Sequence, residues 1–176
     1  MIDWENLARR LGAILPSTDP SVSMQHGSSV LARRALEELV DGAEWAAAVD
    51  HYVDRRPGSE LARSVLWLVH PWAAMARCRD IAQTSNDPAA RRFAVELLRV
   101  VADDRALPWI GQFLRDGDPL VELCAAKTVE QLLYDCLVEV EACSRLLDEM
   151  ENHVNPAVRT VWAEIRSSDD EATDDP

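Results

Sequence analysis

The chain has 176 residues, 48% of them hydrophobic, and a formal net charge of −13. This length supplies enough apolar side chains for one core, and the excess of acids disfavours a nucleic-acid ligand, because phosphates are bound by basic groups. There is no basic and apolar leader and no apolar run of 18 residues, so we expect a cytoplasmic protein that is neither exported nor inserted into a membrane.

The N-terminal segment predicts one pair of helices joined by a long polar loop. The first helix covers residues 3 to 15, where Trp4 and Leu7 are among the apolar residues at helical spacing. Residues 17 to 27 are rich in Ser, Asp, Pro and Gly, which predicts a mobile loop. Residues 28 to 40 form the partner helix.

Proline then recurs at regular distances along the chain. Pro57, Pro88 and Pro119 are 31 residues apart, and Pro156 follows after 37. Each precedes an apolar helical run, and proline suits the first position of a helix because its missing N–H would have no partner there. The spacing predicts four more pairs: 43–55 with 58–69, 72–85 with 88–102, the two helices within 103–133, and 136–152 with 155–167. A longer first helix in the last pair would account for the wider final spacing.

The most specific sequence motif of the chain lies in residues 103 to 133. The sequence Asp-Asp-Arg-Ala-Leu-Pro begins the first helix, which Asp104 can cap, and Asp118 caps the second helix at Pro119. This stretch resembles one HEAT repeat, whose first helix often opens with Asp-x-Arg-Ala-Leu-Pro and whose second opens with Asp-Pro. The resemblance implies an all-α fold, a right-handed α-solenoid of about five HEAT-like helix pairs. We expect one domain over residues 1–168 and a disordered acidic tail over 169–176.

The negative charge is concentrated in one half of the chain. Residues 1 to 99 contain 12 arginines and 13 acids, whereas residues 100 to 176 contain 6 basic residues and 18 acids. Two interpretations remain open. The charge could serve solubility alone, or the C-terminal pairs could form a negative surface that attracts a basic protein partner.

The residue types that carry catalysis or bind metals do not form a recognisable motif. None of the four histidines is next to a second plausible ligand: His26, His51, His70 and His153. We expect His70 and His153 to be surface turn residues. The four cysteines are predicted to be small buried hydrophobic residues that stay reduced: Cys78, Cys124, Cys136 and Cys143. We therefore predict no catalytic residue, no cofactor and no metal.

The six tryptophans separate into two groups. Three fit the apolar stripes of their helices and are predicted to lie in the core: Trp4, Trp45 and Trp162. For the other three the sequence leaves both packing and partial exposure as interface anchors open: Trp67, Trp72 and Trp109. Tyr134 is a similar candidate anchor.

The resemblance also indicates which residues would face a partner, because the second helices of successive HEAT repeats line the concave side. Counted from each proline, the eighth residue is Glu96, Lys127 and Glu164, and the eleventh is Leu68, Arg99 and Glu130. Together with neighbouring aromatic and acidic residues, these positions give the predicted partner-binding set: Trp67, Glu96, Arg99, Lys127, Glu130, Tyr134, Asp135 and Glu164.

This combination predicts a non-enzymatic protein-binding module. Our leading hypothesis is an immunity protein that binds and occludes a basic toxin domain of a bacterial toxin system. Residues 94 to 110 also resemble HEAT-containing proteins that accompany polymorphic toxins. Two alternatives remain: a general adaptor or scaffold for an endogenous protein, and a HEAT-like lyase or chaperone for a prosthetic group. Without its partner we expect the protein to be a monomer.

Overall fold

The computed structural model describes residues 2–15, 24–25 and 27–173. The helices are α1 Trp4–Arg10, α2 Ser29–Leu39, α3 Gly42–Val53, α4 Ser59–Val69, α5 Trp72–Thr84, α6 Pro88–Val101, α7 Leu107–Phe113, α8 Pro119–Tyr134, α9 Val140–Glu151 and α10 Pro156–Thr173. A 3₁₀ turn, Asp104–Ala106, precedes α7. Two short strands, β1 Ile14–Leu15 and β2 Met24–Gln25, pair antiparallel.

The helices are arranged in two layers. The even-numbered helices pack in succession, α2 against α4, α4 against α6, α6 against α8 and α8 against α10. In the other layer α3 packs against α5 and α7 against α9, and from α3 onward each odd-numbered helix packs against the helix that follows it. The predicted α-solenoid is therefore confirmed.

Short polar segments start the even-numbered helices of this solenoid. Asp87 and Asp118 accept hydrogen bonds from backbone N–H groups two residues onward, and a proline follows each of them at the first helical position. Arg92 joins the two starts, because its guanidinium lies 2.9 Å from the Asp118 carboxylate. The neighbouring Arg91 pairs with Asp116 in the same way. Capping and repeat-to-repeat contact thus use the same carboxylate of Asp118.

The core lies between the two layers and extends from α3 to α10. Its largest fully buried side chains include Leu66, Met75, Leu97, Leu98, Ile110, Leu114, Leu132, Leu147 and Met150. The N-terminal pair contributes little to it. All of α2 is described, and none of its residues is buried.

The prediction of a first helix over residues 3 to 15 is wrong in its second half. α1 ends at Arg10, and Gly12 follows with a φ of +74°. Such a φ leaves the helical region and suits glycine, which has no Cβ. Residues 14 and 15 then pair with β2. Most of the predicted mobile loop, residues 17–23 and 26, lies outside the described residues.

The last pair also differs from the prediction. α9 begins at Val140, so residues 135 to 139 form a turn in which Cys136 has a φ of 53°. The first helix of this pair is not longer than α5, so it does not explain the wider proline spacing. The turn has five residues where the connections after α4 and α6 have two, and α8 is also longer than α4 and α6. At its other end the pair continues to Thr173, beyond the predicted domain end at residue 168 and into the segment predicted to be disordered. Residues 174–176 lie outside the described part, so the division into domain and tail stays a prediction.

Two smaller predictions also require correction. The cap that precedes α7 is Asp103, which accepts from the N–H of Arg105, whereas Asp104 lies inside the 3₁₀ turn. Cys78 and Cys143 are buried as predicted and Cys124 is partly buried, but Cys136 is exposed because it lies in the turn before α9.

The tryptophans do not follow their predicted groups completely. Trp45 is buried and Trp162 packs against the core, as predicted, but Trp4 is 62% exposed. Trp109 is buried, and its ring centroid lies 4.9 Å from that of the half-exposed Trp72. The Arg79 guanidinium lies over Trp109, 4.9 Å from its centroid. Trp72 and Trp109 are therefore packing residues, although Trp72 keeps one side in solvent.

Candidate functional site

A groove of about 790 Å³ lies between α6, α8, α10 and the turn 135–139. We call it the C-terminal groove. Its apolar wall includes Leu133, Val138, Val140 and Ile165. Its charged side chains are Arg99, Lys127, Glu130, Glu139 and Glu164. Apolar and charged groups thus share one surface.

The even-numbered helices bring these charges together because the groove residues recur at the repeat spacing. Lys127 Nζ lies 3.4 Å from Glu130 Oε2, one helical turn away on α8. Beside this pair, Gln131 Nε2 donates to Asp135 Oδ2 over 3.0 Å. Within the described part of the chain, the Nε atom of Arg99 is buried without a hydrogen-bond acceptor. An acceptor from a partner that redirected this guanidinium would relieve that cost, which is typically about 1–3 kcal/mol.

Tyr134 is the most prominent aromatic residue of the groove. It ends α8 and is 82% exposed. The chain turns sharply behind it: the N–H of Cys136 donates to Leu133 O, and the N–H of Leu137 donates to Leu132 O over 2.9 Å. The turn therefore places the phenol ring in solvent at the rim of the groove.

Glu96 lies outside the groove lining but connects it with the preceding repeat. It is exposed on α6. Burial raises the pKa of the Cys124 thiol on α8, and the carboxylate of Glu96 raises it further. Burial is also the main cause of the raised pKa of Tyr52 on α3, and Glu96 again adds to it. The negative charge of Glu96 thus acts on groups of both α8 and α3.

The structure brings together five of the eight predicted partner-binding residues. These five line the C-terminal groove: Arg99, Lys127, Glu130, Tyr134 and Glu164. Asp135 follows Tyr134 directly and contacts the groove residue Gln131. Trp67 lies apart on α4, where it is 52% exposed, and Glu96 lies between α4 and the groove.

Sequence reasoning missed the residues that the turn contributes. Cys136, Val138 and Glu139 line the groove, but residues 136 onward had been predicted as helix. The available signal was the final proline spacing, which exceeds the other two by six residues. Part of this extra length lengthens α8 and the rest forms the turn, and turns often contribute to binding surfaces.

A second pocket, of about 400 Å³, lies on the other side of the same turn. Leu137 of the turn lines it together with Arg33 and Arg34 of α2, His70, and Arg105. Arg105 is held by Asp103, which its Nη2 contacts at 2.7 Å, and by the carbonyl of His70 at 2.8 Å. Because these contacts occupy Arg105, we interpret the pocket as a packing feature.

His70 and His153 are not the surface turn residues that the sequence predicts. His70 is buried, ends α4 with a φ of 51°, and has its Nδ1 3.1 Å from Ala102 O. Burial lowers the pKa of His70, although its backbone hydrogen bonds work in the opposite direction. His153 is half-buried, with Nε2 2.7 Å from Leu114 O. Both rings therefore tie a turn to a neighbouring helix, and the prediction of exposed turn histidines is wrong. His26 lies outside the described residues.

The described residues form neither a metal site nor a membrane span. No group of three or more His, Cys, Asp or Glu side chains in that part of the chain could hold a metal ion. Likewise, among the helices the structure describes, none combines the length and apolar character of a membrane span.

Comparison with known proteins identifies the repeat. A family model of HEAT repeats matches residues 76–165, which is more than half of the chain. The matched segment begins within α5 and ends within α10, so it includes the complete α8 and all of the residues that line the C-terminal groove. No curated protein sequence and no solved structure matches the chain. The chain belongs to the HEAT-repeat family.

Proposed function

We propose that this protein is a non-enzymatic protein-binding module and that the C-terminal groove holds its partner. HEAT repeats are commonly protein-interaction modules and typically non-enzymatic scaffolds. The observation that carries the proposal is that equivalent positions of successive repeats line one groove. Residues chosen only by their position after successive prolines, Arg99, Lys127, Glu130 and Glu164, line the same surface.

The charge of this region supports a basic partner. Three glutamates and two cations line the groove, and Lys127 is already paired with Glu130. Residues 100 to 176 as a whole contain 18 acids and 6 basic residues. A field of one sign accelerates association with a partner of the opposite sign. The preformed turn and helices also limit the ordering that binding requires.

Within this function, we propose a basic toxin domain as the partner and occlusion of its active surface as the effect. Inhibition of this kind is stoichiometric and needs a rigid surface, not a reactive group. Two features support a basic toxin domain as the partner. The acidic residues are concentrated in the C-terminal half of the chain, and the sequence of residues 94 to 110 resembles HEAT-containing proteins that accompany polymorphic toxins. We further propose that the protein acts in the cytoplasm and is a monomer before it binds.

A photo-crosslinking amino acid at position 134 tests the binding proposal. Val154 is a matched control, because it is 87% exposed but belongs to the turn between α9 and α10. In cells of the source organism, we expect position 134 to crosslink one basic protein in stoichiometric amounts and position 154 to crosslink none. Equal crosslinking at both positions, or none at either, would contradict a binding role for the groove.

The identity of the partner is tested by inhibition. The crosslinked protein is expressed alone and together with this chain, either unchanged or with Glu130→Lys, and cell growth is measured. Glu151→Lys on α9 is the control, since it makes the same charge change at an exposed position away from the groove. A toxin predicts growth arrest that the unchanged chain and the control relieve and Glu130→Lys does not. A partner that leaves growth unaffected would reject the toxin proposal and favour an adaptor role.

A further inference from the structure

The four even-numbered helices from α4 to α10 share one register. The ninth residue after each proline is buried in all four: Leu66, Leu97, Thr128 and Ile165. The eighth and eleventh residues flank this buried position, so they face the same side of the layer in each helix. On α6, α8 and α10 these positions are charged or polar: Glu96 and Arg99, Lys127 and Glu130, Glu164 and Ser167.

α4 breaks this pattern. Its equivalent residues are Val65 and Leu68, which are 42% and 55% exposed. Leu61, one turn earlier, is 71% exposed. Spacings of three and four residues place the three side chains on one stripe of the helix, which we call the α4 apolar face. The structure therefore exposes an apolar stripe at the position where the other helices expose charge.

The α4 apolar face is continuous with the C-terminal groove. α4 packs against α6, α6 against α8 and α8 against α10, so the stripe and the groove are two ends of one layer. Glu96 lies on the helix between them. Neighbouring helices lie about 8–10 Å apart, so about 16–20 Å separate α4 from α8. A helical segment of about 14 residues covers that distance at 1.5 Å per residue.

We propose that the α4 apolar face and the C-terminal groove bind one basic amphipathic segment of the partner, with its apolar end on Leu61, Val65 and Leu68 and its basic end at the groove. This inference rests on the proposed function and specifies the chemistry of its partner. The orientation follows from the chemistry of the two ends, because the α4 apolar face presents apolar side chains, whereas glutamates outnumber cations among the residues that line the groove. The apolar stripe adds buried apolar area to that of the groove wall.

The test uses labelled peptides of about 14 residues and fluorescence anisotropy. The first peptide has a leucine-rich end and a lysine-rich end, the second replaces lysine by glutamate, and the third replaces leucine by serine. We expect the first to bind at least about tenfold more tightly than either of the others. Equal binding of the first and third peptides would overturn the role of α4, and tighter binding of the second would overturn the proposed charge.

Variants of the protein locate the contact. Val65→Ser with Leu68→Ser removes the stripe and should weaken binding of the first peptide by about tenfold or more. Leu120→Ser with Val154→Ser is the matched control, since it removes exposed apolar side chains at another edge and should leave binding unchanged. All four positions are exposed, so both double variants should fold, and circular dichroism verifies this. Equal loss in both variants would reject the α4 apolar face as the contact.

Two further results separate this inference from the proposed function. If the partner crosslinked at position 134 binds the Val65→Ser, Leu68→Ser variant normally, the binding module stands and the role of α4 is wrong. Sedimentation of the protein alone tests self-association. A dimer that the same variant converts to a monomer would assign the stripe to a second copy and overturn our proposal.

Discussion

The N-terminal end of the solenoid and its centre differ in packing, although both are built from amphipathic helices. α2 has no buried residue over its described length, and Leu7 is the one buried side chain of α1. In contrast, α6 buries five residues and α8 buries seven. A central helix contacts neighbours on several sides, whereas a terminal helix contacts few. The position of a repeat in the stack, more than its own apolar content, therefore determines how much it contributes to stability.

Capping does not explain the difference. Ser28 caps α2 by accepting from the N–H of Leu31 over 3.2 Å, as Asp118 caps α8 by accepting from Leu120 over 2.9 Å. Both helices thus have an intact start. What α8 has in addition is the Arg92 ion pair and a fully buried face.

Truncation of a central core residue should have the largest effect. Leu98→Ala on α6 removes a side chain with no exposed surface, and we expect a loss of about 2–5 kcal/mol in the free energy of unfolding. Leu36→Ala on α2 is the matched control and should cost less than about 1 kcal/mol, because Leu36 is 42% exposed. Urea denaturation measures both. Equal losses would contradict the proposed difference between the N-terminal end and the centre.

Removal of a helix cap should have a smaller effect. Asp118→Ala eliminates the cap of α8 and the ion pair to Arg92, and we expect a loss of about 1–2 kcal/mol. Ser28→Ala removes only the cap of α2 and should cost less than half as much. Thermal unfolding followed by circular dichroism compares the two. A larger effect for Ser28→Ala would indicate that α2 belongs to the cooperative core.

Acidification should lower the stability of the protein, because His70 is buried at the end of α4. The folded state lowers the pKa of His70, so the unfolded chain binds the proton first as the pH falls below the ordinary value of about 6.5. The neutral ring is compatible with folding above that pH, and stability is lost below it. In His70→Asn, where asparagine tolerates the left-handed φ, the stability lost between about pH 7 and pH 5 should be smaller. An unchanged pH dependence in urea titrations would exclude His70 as a cause.

Thiol labelling should show which cysteines lie inside the packed region, and we expect it to have no effect on stability. Cys136 is exposed, whereas Cys78 is buried and its pKa is raised by that burial. A thiol reagent at neutral pH should therefore modify Cys136 first and reach Cys78 only after unfolding. Mass spectrometry of the timed reaction identifies the modified residues. Early modification of Cys78 would show that α5 opens locally.

Periodicity predicted the architecture well, because Pro88, Pro119 and Pro156 each begin a helix. It could not predict which apolar residues have neighbours. Leu66 and Leu68 belong to the same apolar run of α4, yet Leu66 is fully buried and Leu68 is 55% exposed. Residues two apart lie on different faces of a helix, and the adjacent repeat determines which face is buried. In a run that is apolar on both faces, the pattern of a single helix does not contain that information.

The candidate site was predicted in part for the same reason. Glu130 and Glu164 follow from the register, since repeats place equivalent residues side by side. The wall formed by residues 136 to 139 depends on a backbone conformation instead. Cys136 is not a residue type that indicates a left-handed turn, and neither is Arg55, which has a φ of 54°. Turns that lack glycine or asparagine at that position give no signal in the sequence.

The left-handed backbone at Cys136 suggests a trade-off between thermal resistance and recognition. A residue with a Cβ is less favourable there than glycine by about 1 kcal/mol, so Cys136→Gly is a natural choice in engineering a more heat-resistant variant. The same substitution would free the wall of the C-terminal groove to adopt other conformations. Selection for heat resistance alone should therefore favour glycine at this position, whereas selection for tight binding should retain a side chain.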